Sequence, residues 1–502
     1  MQVLRLYKNN DMKKVVSIFL LIAGISLSSN IWGHSILAFP TAQGFGKYTT
    51  GGRGGKVVEV TTLHDSVDGS LRWALRQYPG EPLTVVFRVG GIITLGSDIR
   101  CKRDDFTIAG QTAPGSGILI RGAKLNFGGS TNLIIRNIRV RIGLKDDAHF
   151  IAGGSMGIEN ASNVIIDHCC FGWSAEENVT MYDNHFTTVQ WCILHEGLYN
   201  AGHHKGSRSY GAQWGGSPAT YYHNLLAHNH NRSARLNGAN NPHGDRKVFL
   251  EYINNVNYNW GKQNSCYGGE NEAGPNSQHE CNFIGNYYKP GPGTPASGNY
   301  FIELSAPRNR YTMTGPSKWY FSGNKMVGDK KATSNNWEAI HNNTGYSIDS
   351  LKSETLLYPT SFYPETNSYN YNDYKTTPES ADAAYLSVLA KVGTINRDVV
   401  EKRVVDEVAK GIAKYSASLG VPGYIDSPAD AEDRPVYKSG TPVTDADHDG
   451  IDDAWELKHG LDPKNPKDGN AVVSKDGYTA LEVYLCSLMG ETIPITKGIV
   501  KK

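Results

Sequence analysis

Three groups of charged residues in the middle of this 502-residue chain have the make-up of a site that handles an anion with the help of a hard cation. Lys145, Asp146 and Asp147 form the first, Glu176 and Glu177 the second, and Arg232 with Arg235, in HNHNRSAR, the third. Lys205 lies between the last two. Carboxylates from two segments supply the oxygen ligands that a hard divalent ion takes. Arginines from a third supply donors for an anion that gains charge as it reacts. Taken singly, each such residue is ordinary solvated surface. Only their joint placement makes a site, so the fold must bring distant segments onto one face.

A second acidic motif is complete in itself. Asp445, Asp447, Asp449, Gly450 and Glu456 match D-x-D-x-D-G-x5-E without a gap. Carboxylates at alternate positions, a backbone carbonyl at Ile451, glycine for the sharp turn and a bidentate Glu at the twelfth place suit calcium. A degenerate copy around Asp476 and Gly477 has Val472 and Val483 in its outer ligand places and is read as dead for metal. The module supplies no base, so its predicted role is structural. His203 and His204 have no third ligand spaced for zinc.

The elements that would position the charged groups are written as a repeat. IIRNIRV, IIDHCCF, VQWCILH, YYHNLLA, YINNVNY, FIGNYYK and FSGNKMV return in order, with Asn137, His168, Cys192, Asn224, Asn255, Asn286 and Asn324 read as equivalent. The steps are 31, 24, 32, 31, 31 and 38. Such a period signals a solenoid, tandem blades or a helical array. Short β-branched and aromatic phrases bounded by Gly, Asn or Asp read as strands. One kept strand phrase per step, with loops of varying length, predicts an all-β parallel β-helix, ahead of a β-sandwich. Residues placed alike in successive coils then stack about 4.8 Å apart and line one groove. His168 is read as a stacking residue of its coil and Asp167 as its orienting partner. Trp173, Trp214, Tyr210 and Trp260 are candidates for a sugar-binding floor.

The rest of the chain fits that plan. A mean hydropathy of -0.43 and 55 glycines describe a turn-rich chain, and a net charge of +1 carries no basic excess for nucleic acid. Lys13 and Lys14 precede the apolar run 15–27 and then Ser28, Ser29 and Asn30, which predicts a signal peptide over 1–33, too short to span a membrane. Met12 is an alternative start. The protein is therefore expected to be secreted, to the periplasm or outside the cell, with no membrane span and no protein partner indicated. Of seven cysteines, Cys266 and Cys281 are spaced to bridge a loop, whereas Cys169, Cys170 and Cys192 read as buried small hydrophobes. The predicted layout is a β-helix domain over 34–425, with long wrapping loops over 330–378 and amphipathic helices over 381–392 and 397–415. A Pro-rich linker over 426–443 and a small EF-hand-like calcium module over 444–490 complete it.

NLIIRNIRV, DDAHF, NVIIDHCCFGWSAEENVTMY and HNLLAHNHNRSAR resemble, in order and spacing, the motifs of the pectate lyases of polysaccharide lyase family one. The similarity runs from about Phe39 to about Tyr415. It implies a right-handed parallel β-helix in which Ca2+ bridges acidic side chains and the uronate carboxylate of polygalacturonate. By position, Asp147 matches the family's first calcium-binding aspartate and Glu176 opens the second ligand pair. The usual aspartate four residues on is Thr180 here, leaving Glu177 or Asp146 as substitutes. Arg232 matches the proton-abstracting arginine. The usual R-x-P-R reads Arg232, Ser233, Ala234, Arg235, and Asn237 stands where a further arginine is common. Lys205 falls at the place of a substrate-binding lysine, with Arg235 and His228 beside the sugar.

The resemblance thus implies a secreted, calcium-dependent pectate lyase acting on de-esterified pectin by β-elimination. A guanidinium with a pKa above about 12 makes a poor base unless burial and cationic neighbours lower it. His228 or His230 therefore stays open as the base, with Arg232 stabilising charge. Other readings are a hydrolase that pairs carboxylates among Asp146, Asp147, Glu176 and Glu177, a pectin lyase acting on the methyl ester without metal, and a non-catalytic polysaccharide-binding surface protein.

Overall fold

Each strand phrase alternates because one face turns into a coil and the other turns out. The computed structural model describes residues 36–143, 153–238, 247–270, 278–296, 299–306, 316–358, 370–431 and 435–496. In it the phrases pair in parallel with the equivalent strand one coil away, giving three sheets of ten, nine and nine strands among the described residues. The first sheet runs from Lys56–Val60 to Lys318–Ser322, the second from Gly91–Thr94 to Lys325–Met326, and the third from Ile99–Arg100 to Ile340–Asn343. This is the predicted right-handed parallel β-helix. Its interior is built of rows: Ile135, Ile166, Val189, Tyr221, Tyr252, Phe283 and Phe321 succeed one another across seven coils, all buried.

The strand pairing moves two residues of the predicted repeat by one place. Asp167 pairs with Gln190, so His168 corresponds to Trp191 and not to Cys192, and the step there is 23. Asn137, His168, Trp191, His223, Asn254, Gly285 and Gly323 all take left-handed backbone at the corner after the first sheet. Asn and Gly enter that region most readily. Asn137 therefore shares a residue type with Asn224 but does a different job.

The next position holds the ladder. Asn224, Asn255, Asn286, Asn324 and Asn336 are buried in file. The Asn224 side-chain amide donates to Asn255 Oδ1 at 3.0 Å, Asn255 to Asn286 at 3.3 Å, Asn286 to Asn324 at 2.8 Å and Asn324 to Asn336 at 3.0 Å. Each of the first four also donates to a carbonyl one coil back. The side-chain oxygens of Asn255, Asn286, Asn324 and Asn336 also accept the backbone N–H of the asparagine before each in the file. A buried amide is tolerable only when satisfied in this way.

Helices Ala381–Lys391 and Val399–Lys410 form where amphipathic helices were predicted. Val388, Val400, Val404 and Val408 cover the outer face of the second sheet at Cys170, Ile193, Leu225 and Val256. Beneath them Arg139 meets Glu401 at 2.5 Å and Arg141 meets Asp398 at 2.6 Å. Segment 330–378, read as loops, carries short helices at Lys330–Ser334, Ile348–Leu351 and Tyr371–Tyr374, and its strand Ile340–Asn343 closes the third sheet. All seven cysteines are free, so the Cys266–Cys281 bridge is not formed; both are buried. The acidic loop leads into helix Asp453–His459, but residues 435–452 hold no helix, so the entering helix of an EF-hand is not present. The predicted signal peptide lies outside the described residues. No helix among those described is long and apolar enough to cross a membrane.

Candidate active site

The outer face of the third sheet carries the charged groups. In strand Glu177–Tyr182, Val179 and Met181 point into the core, so Thr180 between them points out. Strand pairing then sets Gln213, Arg235 and Tyr267 in the same outward row, one coil after another. A second row joins Glu177 to Tyr210 and Tyr210 to Asn231. Glu176, Glu177, Thr180, Lys205, Arg208, Gln213, Arg232 and Arg235 line one cleft of about 440 Å³.

Arg232 is at its centre. Its backbone is left-handed, with φ at 56°, and its N–H donates to Asn231 Oδ1 at 2.7 Å. A non-glycine residue held this way costs of order 1 kcal/mol or more. The turn aims its guanidinium over the Tyr210 ring, 4.2 Å from the centroid, and onto the Glu177 carboxylate. Burial lowers the Arg232 pKa; Tyr267 opposes the shift and Arg235 adds to it. Arg235 is more buried and donates to Gln213 at 3.0 Å and to Glu270 at 2.5 Å. Asn237, where the family pattern has an arginine, donates to the same Glu270 oxygen at 3.0 Å.

Glu176 is held from the other side. His203 Nε2 lies 2.8 Å from it and Arg208 Nη2 3.4 Å. The Lys205 backbone N–H donates to His203 Nδ1 at 3.1 Å, which leaves the Nε2 proton for Glu176. Arg208 also donates to the Tyr210 hydroxyl at 2.9 Å. Lys205 itself is exposed at the rim.

The structure therefore gathers Glu176, Glu177, Thr180, Lys205, Arg232 and Arg235, as the sequence suggested. Asp146 and Asp147, with the DDAHF motif, lie outside the described residues. His228 does not join the cleft: it is buried, 3.1 Å from Glu407 and within 3.0 Å of the Asn259 amide, so it packs beneath helix Val399–Lys410. His230 is wedged against Tyr199 and Tyr424, and burial, with Lys262, pushes its pKa down to about 4. Neither lines the site. Of the aromatic candidates, Tyr210 faces the cleft, whereas Trp214 and Trp260 are core and Trp173 donates to Glu196. Sequence reading missed Arg208, Gln213, Tyr267, Glu270 and the role of His203 as a partner of Glu176.

Against proteins of known sequence the match spans nearly the whole chain. A probable pectate lyase C of Aspergillus flavus is 32% identical over 464 residues, covering 91% of this chain and 94% of that one. The chain belongs to the pectate lyase family. A probable pectate lyase C of Aspergillus fumigatus is 31% identical over 470 residues, covering 91% and 95%. A pectate trisaccharide-lyase of Bacillus licheniformis is 23% identical over 68% of this chain and 95% of its own. The cedar-pollen allergen jun a 1 aligns in structure over 74% of this chain and 97% of its own, with a TM-score of 0.47 and 17% identity. No family model matches. The protein is thus a polysaccharide lyase, and the cleft on its third sheet, with its arginines and carboxylates, is the candidate active site.

The C-terminal acidic residues of this lyase come together elsewhere. Oxygens of Asp447, Asp449 and Glu456 converge with one from Asp468, which the motif does not contain. Burial pushes the Glu456 carboxyl up to about 8 and Asp449 up to about 7, and the acidic neighbours add to both shifts. Asp445 keeps one oxygen on the Gly450 N–H at 3.0 Å and faces Arg88 at 3.7 Å.

Proposed function

We propose that this lyase cleaves polygalacturonate, the de-esterified form of pectin, by β-elimination in the cleft on the third sheet. The observation that carries the reading is Arg232: a mostly buried guanidinium, pressed on Tyr210 and next to Arg235, with its pKa lowered.

In the reaction the C5–H bond of a galacturonate breaks, its electron pair forms the C4–C5 double bond, and the C4–O bond breaks as the leaving oxygen takes a proton from water. Loss of the C5 proton puts charge beside an existing carboxylate, so the site must stabilise an enediolate. Arg232 is placed to take that proton once neutral. Burial and Arg235 favour the neutral form, and Tyr267, Glu176 and the ion-paired Glu177 oppose it. Lys205 at the rim is placed to hold a neighbouring uronate, and Tyr210 offers a flat surface to the sugar. Glu270 and Gln213 fix Arg235 so that its charge faces the cleft without moving.

The donor set suits a hard cation: Glu176, Glu177 and the Thr180 hydroxyl are oxygens on one wall of the cleft, and Asp147 is the residue the family resemblance adds. Calcium bound there would neutralise the uronate carboxylate and lower the barrier to losing the adjacent proton. In the resting site Glu176 is held by His203 and Arg208 and Glu177 by Arg232, so substrate and metal binding must compete with these side chains. Secretion follows from the predicted leader, and pectin is a substrate met outside the cell.

The reading is tested with purified protein on polygalacturonate and on highly methyl-esterified pectin, each with calcium or chelator, following the ultraviolet absorbance of the unsaturated product. Calcium-dependent absorbance on polygalacturonate is expected. Chain shortening without absorbance would mark a hydrolase, and chelator-resistant activity on the ester would mark a pectin lyase.

A further inference from the structure

The acidic loop at the C-terminal end of the chain is joined by a residue outside its motif and rests directly on the first coils of the solenoid. One oxygen each of Asp447, Asp449, Glu456 and Asp468 lie within 4.8 Å of one another. Glu456 is fully buried, and neither of its carboxylate oxygens has a hydrogen-bond partner among the described residues. Asp445 Oδ1, both Asp447 oxygens, Asp449 Oδ2 and Asp468 Oδ1 are likewise unmatched. The remaining oxygens are spoken for: Asp445 Oδ2 by Gly450, Asp449 Oδ1 by the Ile451 N–H and Asp468 Oδ2 by the Asp462 N–H. Those bonds orient each carboxylate so that one free oxygen faces its neighbours. Buried carboxylates left in that state repel one another, and a divalent cation taking six to eight oxygens resolves the conflict.

The same loop touches the beginning of the fold. Gly450, with φ at 91°, is packed so closely that a Cβ there would lie 3.1 Å from Val57 and 3.4 Å from Val86, on the first two strands of the first sheet. Arg88, next to the second of those strands, reaches Asp445 and also Glu59, and Glu59 meets His448 of the loop at 3.0 Å. Asn470, two residues after Asp468, donates to the Gly55 carbonyl at 3.0 Å. Glu482, on the helix Ala480–Leu488, meets Arg53 at 2.6 Å.

We propose that Asp445, Asp447, Asp449, Glu456 and Asp468 form a calcium site, separate from the catalytic cleft, that clamps the C-terminal module onto the outer face of the first sheet at its first coils. Asp468 draws the following segment to the loop, which replaces the bracing that an entering helix gives an EF-hand. The Ile451 carbonyl completes the set. The clamp acts on the fold and leaves the chemistry of the cleft alone, so it stands or falls apart from the reading of the active site.

The test uses the full chain without substrate. Calcium titration by calorimetry and melting curves in calcium and in chelator are recorded for the wild type, Glu456→Gln, Asp468→Asn and the cleft variant Glu176→Gln, with hydrogen exchange followed on strand Lys56–Val60. Wild type and Glu176→Gln should melt higher in calcium, Glu456→Gln should lose that shift, and Asp468→Asn should bind at least tenfold more weakly. Chelator should raise exchange in Lys56–Val60. Should Glu456→Gln fail to fold, the Asp468→Asn titration and the wild-type exchange still decide. Unchanged affinity in Asp468→Asn would remove it from the site, and unchanged exchange in the first strand would overturn the clamp.

Discussion

Arg232 acts as a base only to the extent that its surroundings make the neutral guanidine accessible. Burial and Arg235 push that way, while Tyr267, Glu176 and the ion pair with Glu177 hold the charged form. Replacing Arg232 by Ala should lower kcat at least about a hundredfold with little change in KM, since a group acting on the proton works in the transition state. Glu177→Gln, assayed at saturating calcium, removes the nearest of the opposing charges. Neutral Arg232 predominates above its pKa, so the rise of kcat/KM on the alkaline side should move to lower pH in this variant, by roughly one unit or more. A profile that stays in place would mean that Arg232 does not titrate in the rate-determining step. Glu176, Glu177 and Arg232 were readable from sequence because charged residues just beyond a strand phrase stand out. Arg208, Gln213 and Tyr267 were not, because their place in the site follows from coil register and not from any local pattern. His228 was misread for the converse reason: HNHNRSAR looks polar throughout, yet His228 turns under helix Val399–Lys410 to meet Glu407.

At the scale of elements, the corner between the first and second sheets is where the solenoid is held in register. Asn255 accepts from the Asn224 amide and backbone N–H and donates to Tyr221 and Asn286. Asn255→Ala should destabilise the fold by about 2–4 kcal/mol, because several buried groups lose partners at once. Thermal or denaturant unfolding measures it. Activity per folded molecule should be kept, since Asn255 sits at a corner and the cleft lies on the third sheet. The strand phrases were legible because a strand that buries one face must alternate. The register was misjudged by one residue at Asn137 and His168, since left-handed corners accept Asn, His, Trp or Gly, and Asn also serves in the ladder one place later. The helices at Ala381–Lys391 and Val399–Lys410 were legible from their apolar spacing, and the structure adds the caps Ser380 and Asp398.

For the whole molecule, the solenoid turns sequence distance into proximity. Glu177 and Arg232 meet across the intervening coil, and Glu482 of helix Ala480–Leu488 meets Arg53 just before the first strand. The second of these was hidden from sequence: a run of prolines before an acidic motif reads as a linker and a free module, while the contacts of Arg53, Gly55 and Glu59 with it have no sequence signature. Both calcium assignments make the protein's response to chelator twofold, with loss of turnover at the cleft and loosening of the first coils at the clamp. The central claim concerns the cleft. It is tested most directly by the ultraviolet absorbance that purified wild-type protein generates from polygalacturonate in calcium: a steady rise that chelator abolishes is the expected result, and shortened chains with no rise in absorbance would contradict it.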